Sequence, residues 1–171
     1  QGLTEYLPVS SSAHLVLVPK LLGWQLAEDK SFVFDVLVQL GTLVGVFAYF
    51  LRSIMGIAEA VIKGIMAKKP FQDEDARLGY MIVLATIPAA IIGVAFKEQL
   101  AQYFSSPKAS SYLLLVTGLM LVLAEYASRA HKTAPSKKDA LVIGFAQSFA
   151  LLPGISRSGA TIAAGMACGL P

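Results

Sequence analysis

The chain has 171 residues, of which 56% are hydrophobic and only 15% charged, with 14 Lys plus Arg against 11 Asp plus Glu and a mean hydropathy of +0.65. Soluble domains carry about 25% charged residues, so this composition excludes a soluble domain as well as disordered and collagenous chains. A disulfide framework is excluded too, because Cys168 is the single cysteine and reads as a small buried thiol.

At about 20 residues per span, a chain of this length holds about five membrane helices with their loops. In chain order, Gln1 and Glu5 stand four apart on one helix face, and Pro8 followed by Ser10, Ser11 and Ser12 ends that half-helix. Any of the three serines can cap the next segment, whose apolar run 15–22 is too short to cross alone. Residues 32–51 form the first spanning candidate. Residues 54–67 read as a separate interfacial helix, with Glu59 and Lys63 on one face and Ile54, Ile57, Val61 and Ile65 on the other. Residues 78–96 and 112–127 are the next spans, the last short unless it is counted from Ser110 to Ser128. Residues 140–152 again fall short of a span and run into Pro153-Gly154-Ile155-Ser156-Arg157-Ser158-Gly159. Short apolar halves joined by such breakers are re-entrant or broken helices, which a membrane tolerates where the irregular backbone is buried or lines a cavity.

Basic residues orient these elements. Loop 52–77 carries Arg52, Lys63, Lys68, Lys69 and Arg77, and loop 128–139 carries Arg129, Lys132, Lys137 and Lys138, against only Lys97 and Lys108 in loop 97–111. The positive-inside rule puts the first two on the cytoplasmic side, and loops 97–111 and 20–31 outside. No Lys/Arg stripe with interleaved aromatics appears, so nucleic acid is not an expected partner.

With the loops removed, Glu5, Asp35 and Arg157 remain in or beside apolar runs, where charge is costly and a function is the default reading. The plainer alternative is an ion pair of Arg157 with Glu5 or Asp35 that only fixes packing; Asp35, with Gln39 one turn on, suits a supporting role as well as direct chemistry. A shift of 146 places Gln1 on Gln147, Ser10 on Ser156, Ser12 on Ser158 and Ala13 on Gly159. Three crossings separate the two copies, so they enter from opposite sides, as inverted-topology repeats do. Helix N-termini capped by serine are anion sites. Gly154 and Gly159 let backbone approach a ligand, Ser156, Ser158 and Thr161 offer hydroxyls, and Arg157 offers a planar fork for phosphate oxygens. With His14 within a turn of Ser10 and Ser11, the set suits phosphoryl chemistry on a lipid headgroup. A transporter or flippase of a phosphorylated lipid would use the same design.

Gln1-Gly2-Leu3-Thr4-Glu5 with Pro8-Val9-Ser10-Ser11-Ser12-Ala13-His14, and Pro153-Gly154-Ile155-Ser156-Arg157-Ser158-Gly159-Ala160-Thr161, resemble the two signatures of the undecaprenyl-diphosphate phosphatases of the bacitracin-resistance type. Phe34-Asp35 to Gln39-Leu40-Gly41 matches a third family segment. The resemblance implies an all-α, polytopic integral membrane bundle with inverted repeats and two broken helices, in a bacterial inner membrane with its site facing outside. It implies an enzyme that removes the terminal phosphate of undecaprenyl diphosphate for envelope synthesis, with Mg²⁺ or Ca²⁺, and that confers bacitracin resistance when abundant. Membrane lipids are its surroundings, and a homodimer is one assembly to expect. Carried over by position, Glu5 is the essential carboxylate, Ser11 the nucleophile or its positioning group, His14 an acid/base or phosphate contact, and Arg157 the diphosphate clamp. Gln1, Ser10, Ser12, Ser156, Ser158, Gly159 and Thr161 then bind substrate, Glu5 and Gln1 hold the metal, and Asp35 supports them. Position 1 is Gln and position 35 Asp where many relatives have Glu, while Ser12 and Ala13 stand for Thr and Gly. Residues 1–171 are expected to be one membrane domain within a longer chain that has a leading helix and further spans.

Overall fold

Helices account for every regular element among the described residues: α1 (Gly2–Tyr6), α2 (Ser11–Leu21), α3 (Glu28–Met66), α4 (Glu74–Ala95), α5 (Lys97–Phe104), α6 (Pro107–Ala127), α7 (Lys137–Phe149) and α8 (Arg157–Ala167). The structure, a computed structural model, describes residues 1–24, 28–104, 106–127 and 130–171, without the side chains of 28–32 and 127. The expected loop residue Arg129, Ser128 at the end of the third span, and residues 25–27 of the first external loop lie outside the described residues.

Among the described residues three helices are long and apolar enough to cross a membrane, over Val33–Met66, Glu74–Ala95 and Pro107–Tyr126, in agreement with the three crossings read from the sequence. The third reaches span length by starting at Pro107, a residue suited to the first turn of a helix because its missing N–H has no partner there anyway. One expectation is corrected. Residues 54–67 are not a separate interfacial helix but the continuation of α3, whose 39 residues run unbroken to Met66. Arg52-Ser53 contains neither Pro nor Gly and gives the helix no reason to stop. At about 1.5 Å per residue α3 is about 58 Å long, roughly twice a hydrocarbon core of about 30 Å, so its charged end with the exposed Glu59–Lys63 pair (2.6 Å) projects past the apolar layer.

The packing is that of a membrane protein. Among the described residues the buried apolar side chains are small: Ala13, Ala76, Ala89, Ala124, Ala140, Ala150, Ala160 and Ala163, with the prolines Pro88 and Pro153. The large side chains, among them Phe47, Tyr49, Ile91, Leu115 and Tyr126, face outward. Lipid tails solvate Leu and Phe as well as a protein core does, so helices associate through small residues that let backbones approach. The closest case is α7 on α4, the most extensive helix contact, where a Cβ on Gly144 would collide with the Ala85 carbonyl. Gly79 does the same for α4 on α3, with Val61 and Ile57 methyls 2.8 and 2.9 Å from where its Cβ would be.

The two short pairs, α1–α2 and α7–α8, flank the two expected breaks. The second pair is anchored at its far end. Ser136 and Asp139 form a capping box at the start of α7, Lys132 binds Asp139 at 2.8 Å, and the His131 and Lys132 N–H groups both donate to the Gly169 carbonyl at 3.0 Å. The Lys132 ammonium, helped by the Ser136 N–H, holds the Asp139 carboxyl well below its usual range.

Candidate active site

The two breaks are built alike, as the 146-residue shift requires. In the first, Ser10 caps α2: its hydroxyl accepts from the Ala13 N–H (3.4 Å) and lies 3.2 Å from the Ser12 hydroxyl. In the second, Ser156 caps α8, accepting from the Gly159 N–H (3.1 Å) with the Ser158 hydroxyl 3.1 Å away. Each Ser-x-Ser thus presents a capped helix start whose first N–H groups lack intrahelical partners and whose dipole favours an anion. The copies differ in backbone. Ser10 sits at φ 62°, a left-handed conformation that costs a serine about 1–3 kcal/mol. In the second break the positive φ falls on Gly154 (113°), where a Cβ would meet the Ser110 carbonyl oxygen at 2.6 Å.

The breaks also touch, since a Cβ on Gly159 would lie 3.3 Å from the Pro8 carbonyl. Together they wall a cavity of about 840 Å³ that takes in Glu5, Ser10, Ser11, Ser12 and Asp35 from the first half of the chain and Ser156, Arg157 and Ser158 from the second. The rest of its wall is largely apolar, including Leu15, Val16, Leu40, Leu43, Leu100 and Leu151. Leu40 and Leu43 also open a second groove of about 400 Å³, lined entirely by α3 residues down to Phe47 and Leu51.

Inside the cavity Ser11 donates its hydroxyl hydrogen to Glu5. Arg157 lines the same space, with an exposed side chain and no ion pair; among the described residues the ion pairs are Lys63–Glu59 and Lys132–Asp139. The plainer reading of Arg157 as a packing partner of Glu5 or Asp35 is therefore not what the side chain does.

Four of the expected residues stand outside the cavity wall. Gln1 is wedged behind Glu5: its amide N–H groups donate to Glu5 (3.3 Å) and Gln39 (3.1 Å), and its oxygen accepts from Thr42 (2.7 Å). Its NH₂ thus faces Glu5 while its oxygen is engaged by Thr42. His14 places Nδ1 2.8 Å from the Ser10 carbonyl, so Nδ1 carries the hydrogen and holds the strained Ser10 backbone. Thr161 turns its hydroxyl back to the Arg157 and Ser158 carbonyls, at 3.0 and 3.1 Å. Gly159 serves the close approach to Pro8. Asp35 does line the cavity, and Gln39 links its turn of α3 to Gln1.

Two residues escaped the sequence reading. Thr117, 1% exposed in the middle of α6, donates to the Gly154 carbonyl (2.8 Å) and accepts from the Ser156 N–H (3.1 Å), pinning the second break to a full span. A threonine in the middle of an otherwise apolar span was the available signal. Lys97, read only as a loop charge, lines the cavity.

Among the described residues no three His, Cys, Asp or Glu side chains gather to hold a metal. The donor set fits a divalent cation only in the manner usual for Mg²⁺, held by one carboxylate, here Glu5, together with phosphate oxygens of a substrate.

A profile described as Bacitracin resistance protein BacA matches residues 1–171. The chain belongs to that family. It is 45% identical to a protein named undecaprenyl-diphosphatase of Chlorobium phaeovibrioides, over 97% of this chain and 61% of the relative. A protein of the same name from Pelodictyon phaeoclathratiforme is 46% identical over 97% and 61%, and one from Chloroherpeton thalassium 41% identical over 99% and 62%. The chain thus spans about three fifths of the length of the curated relatives it matches. Family membership and the three apolar helices make it part of a multi-pass membrane protein.

Proposed function

We propose that the full-length protein hydrolyses undecaprenyl diphosphate to undecaprenyl phosphate and inorganic phosphate, from an inner membrane and with its cavity open to the outside. The observation that carries this reading is the hydrogen bond from Ser11 to Glu5 in a cavity that also holds Arg157 and both serine-capped helix starts.

The terminal phosphoryl group sits between the N-termini of α2 and α8, where N–H groups, serine hydroxyls and the Arg157 fork meet its oxygens and hold the charge that builds in the transition state. Glu5 takes the proton of Ser11 as Oγ bonds to the terminal phosphorus and the bridging P–O bond breaks, with undecaprenyl phosphate leaving. Glu5 hands that proton to the departing undecaprenyl phosphate; a water then gives a proton to Glu5 as its oxygen bonds to phosphorus, and Glu5 returns it to Ser11 Oγ as the P–Oγ bond breaks and phosphate leaves. A divalent cation held by Glu5, Mg²⁺ or Ca²⁺, would supply further charge neutralisation. Gln1 and His14 act through others, Gln1 by fixing Glu5 and His14 by fixing the Ser10 turn. The prenyl chain lies against Leu40 and Leu43 and follows the α3 groove toward Leu51. Removing the terminal phosphate depletes the lipid diphosphate that bacitracin binds, which accounts for resistance.

A lipid transporter would use the same inverted repeat, so phosphate release and headgroup translocation need to be followed together in proteoliposomes of the full-length protein. The phosphatase reading expects phosphate release that falls at least 100-fold in Glu5→Gln and in Arg157→Ala. Translocation without phosphate release would refute it.

A further inference from the structure

The cavity has a second cation that the reaction outlined above leaves idle. Helix α5 turns Lys97, Leu100, Ala101 and Phe104 to the cavity, positions i, i+3, i+4 and i+7 of a single face, with Glu98, Gln99, Gln102 and Tyr103 on the others. Lys97 makes no ion pair with a described residue. Of the charged side chains lining the cavity, Glu5, Asp35, Lys97 and Arg157, it is the one whose neighbours on its own helix are apolar, whereas Arg157 stands among serines.

We infer that Lys97 is a substrate-binding residue that holds the lipid-proximal phosphate, while Arg157 and the serine loops hold the terminal one. This rests on the phosphatase reading. A diphosphate carries more negative charge than one guanidinium offsets, and its inner phosphate must stand where polar headgroup meets apolar tail. The Lys97 face of α5 has that composition: an ammonium at one end, then Leu100, Ala101 and Phe104. The inner phosphate gains charge as the bridging bond breaks, so Lys97 also steadies the leaving group. A lysine suits this task because its ammonium is a point charge on a flexible stem and follows an oxygen that moves as the bond breaks.

The test uses the full-length enzyme and three readouts: KM for the lipid diphosphate, competitive inhibition by inorganic diphosphate, and inhibition by inorganic phosphate. Lys97→Gln should raise KM about tenfold, as loss of a charged hydrogen bond does. It should weaken diphosphate inhibition to a similar extent and leave phosphate inhibition unchanged, with Lys97→Arg recovering most of both losses. Unchanged KM and diphosphate inhibition in Lys97→Gln would overturn the assignment. So would equal weakening of phosphate and diphosphate, the mark of a general loss of site structure. Calorimetric binding of inorganic diphosphate separates this inference from the hydrolysis itself. If the wild type cleaves no lipid diphosphate, the phosphatase reading fails, yet tenfold weaker diphosphate binding in Lys97→Gln still supports the Lys97 contact, and equal or absent binding rejects it.

Discussion

Ser10 and Ser156 cap two helices in the same way although the residues around them are mostly different; the shared Ser-x-Ser recorded the likeness in the sequence but left open which of Ser10, Ser11 and Ser12 is the cap. The chemistry of a cap needs a hydroxyl at one position and a helix after it, both of which a linear pattern records. Thr117 was not legible for the opposite reason. Its value comes from the Gly154 carbonyl and Ser156 N–H, 37 and 39 residues away, and nothing next to it in the chain marks them. Thr117→Val leaves both buried groups unpaired, at about 1–3 kcal/mol each. Thermal denaturation in detergent should show a clear loss of stability, and phosphate release should fall at least tenfold, whereas the outward-facing Thr86→Val should change neither. Gly154→Ala should do more damage, because it adds a Cβ against the Ser110 carbonyl at a φ of 113°. Loss of purifiable folded protein is the outcome expected.

Hydropathy located the spanning helices but misjudged the end of α3. A helix stops where a cap or breaker ends its hydrogen bonds, and a change from apolar to amphipathic composition at Arg52 is not a stop signal. The inverse holds for α7 and α8: Pro153 and Gly154 interrupt the chain, and both neighbours stay short. At the far end of this pair the Lys132–Asp139 contact gives a pH signature. The Asp139 carboxyl is held below its ordinary value of 3.8, so the folded state favours its ionised form. The resulting stabilisation is complete above that value and is lost as pH falls below it. The melting temperature of the wild type should exceed that of Asp139→Asn at pH 6, and the gap should close progressively below about pH 4. A gap independent of pH would mean that packing rather than charge sets the difference.

Across the whole molecule the repeated break brings chemistry-bearing residues about 146 positions apart into one cavity, with three helices long enough to span a membrane between them. The sequence showed which residues were costly in a membrane and therefore needed a purpose. It did not show that Lys97 joins them, since a charge in a loop is ordinarily solvated, nor that α3 carries an apolar groove away from the cavity. Because Ala48 lines that groove, Ala48→Trp should raise KM for the long prenyl diphosphate and leave a short-chain diphosphate unaffected. A kinetic comparison of the two substrates decides this.

The account stands on one assembly, Glu5 with Ser11 from the first break acting on a phosphoryl group that Arg157 holds from the second. A single-turnover reaction of the full-length enzyme with terminally labelled lipid diphosphate, quenched in acid and mapped by mass spectrometry, tests it most directly. The expected result is phosphoserine at Ser11 in the wild type and none in Glu5→Gln or Arg157→Ala. Phosphate released in one turnover with oxygen from solvent, and no labelled serine at any time, would contradict it.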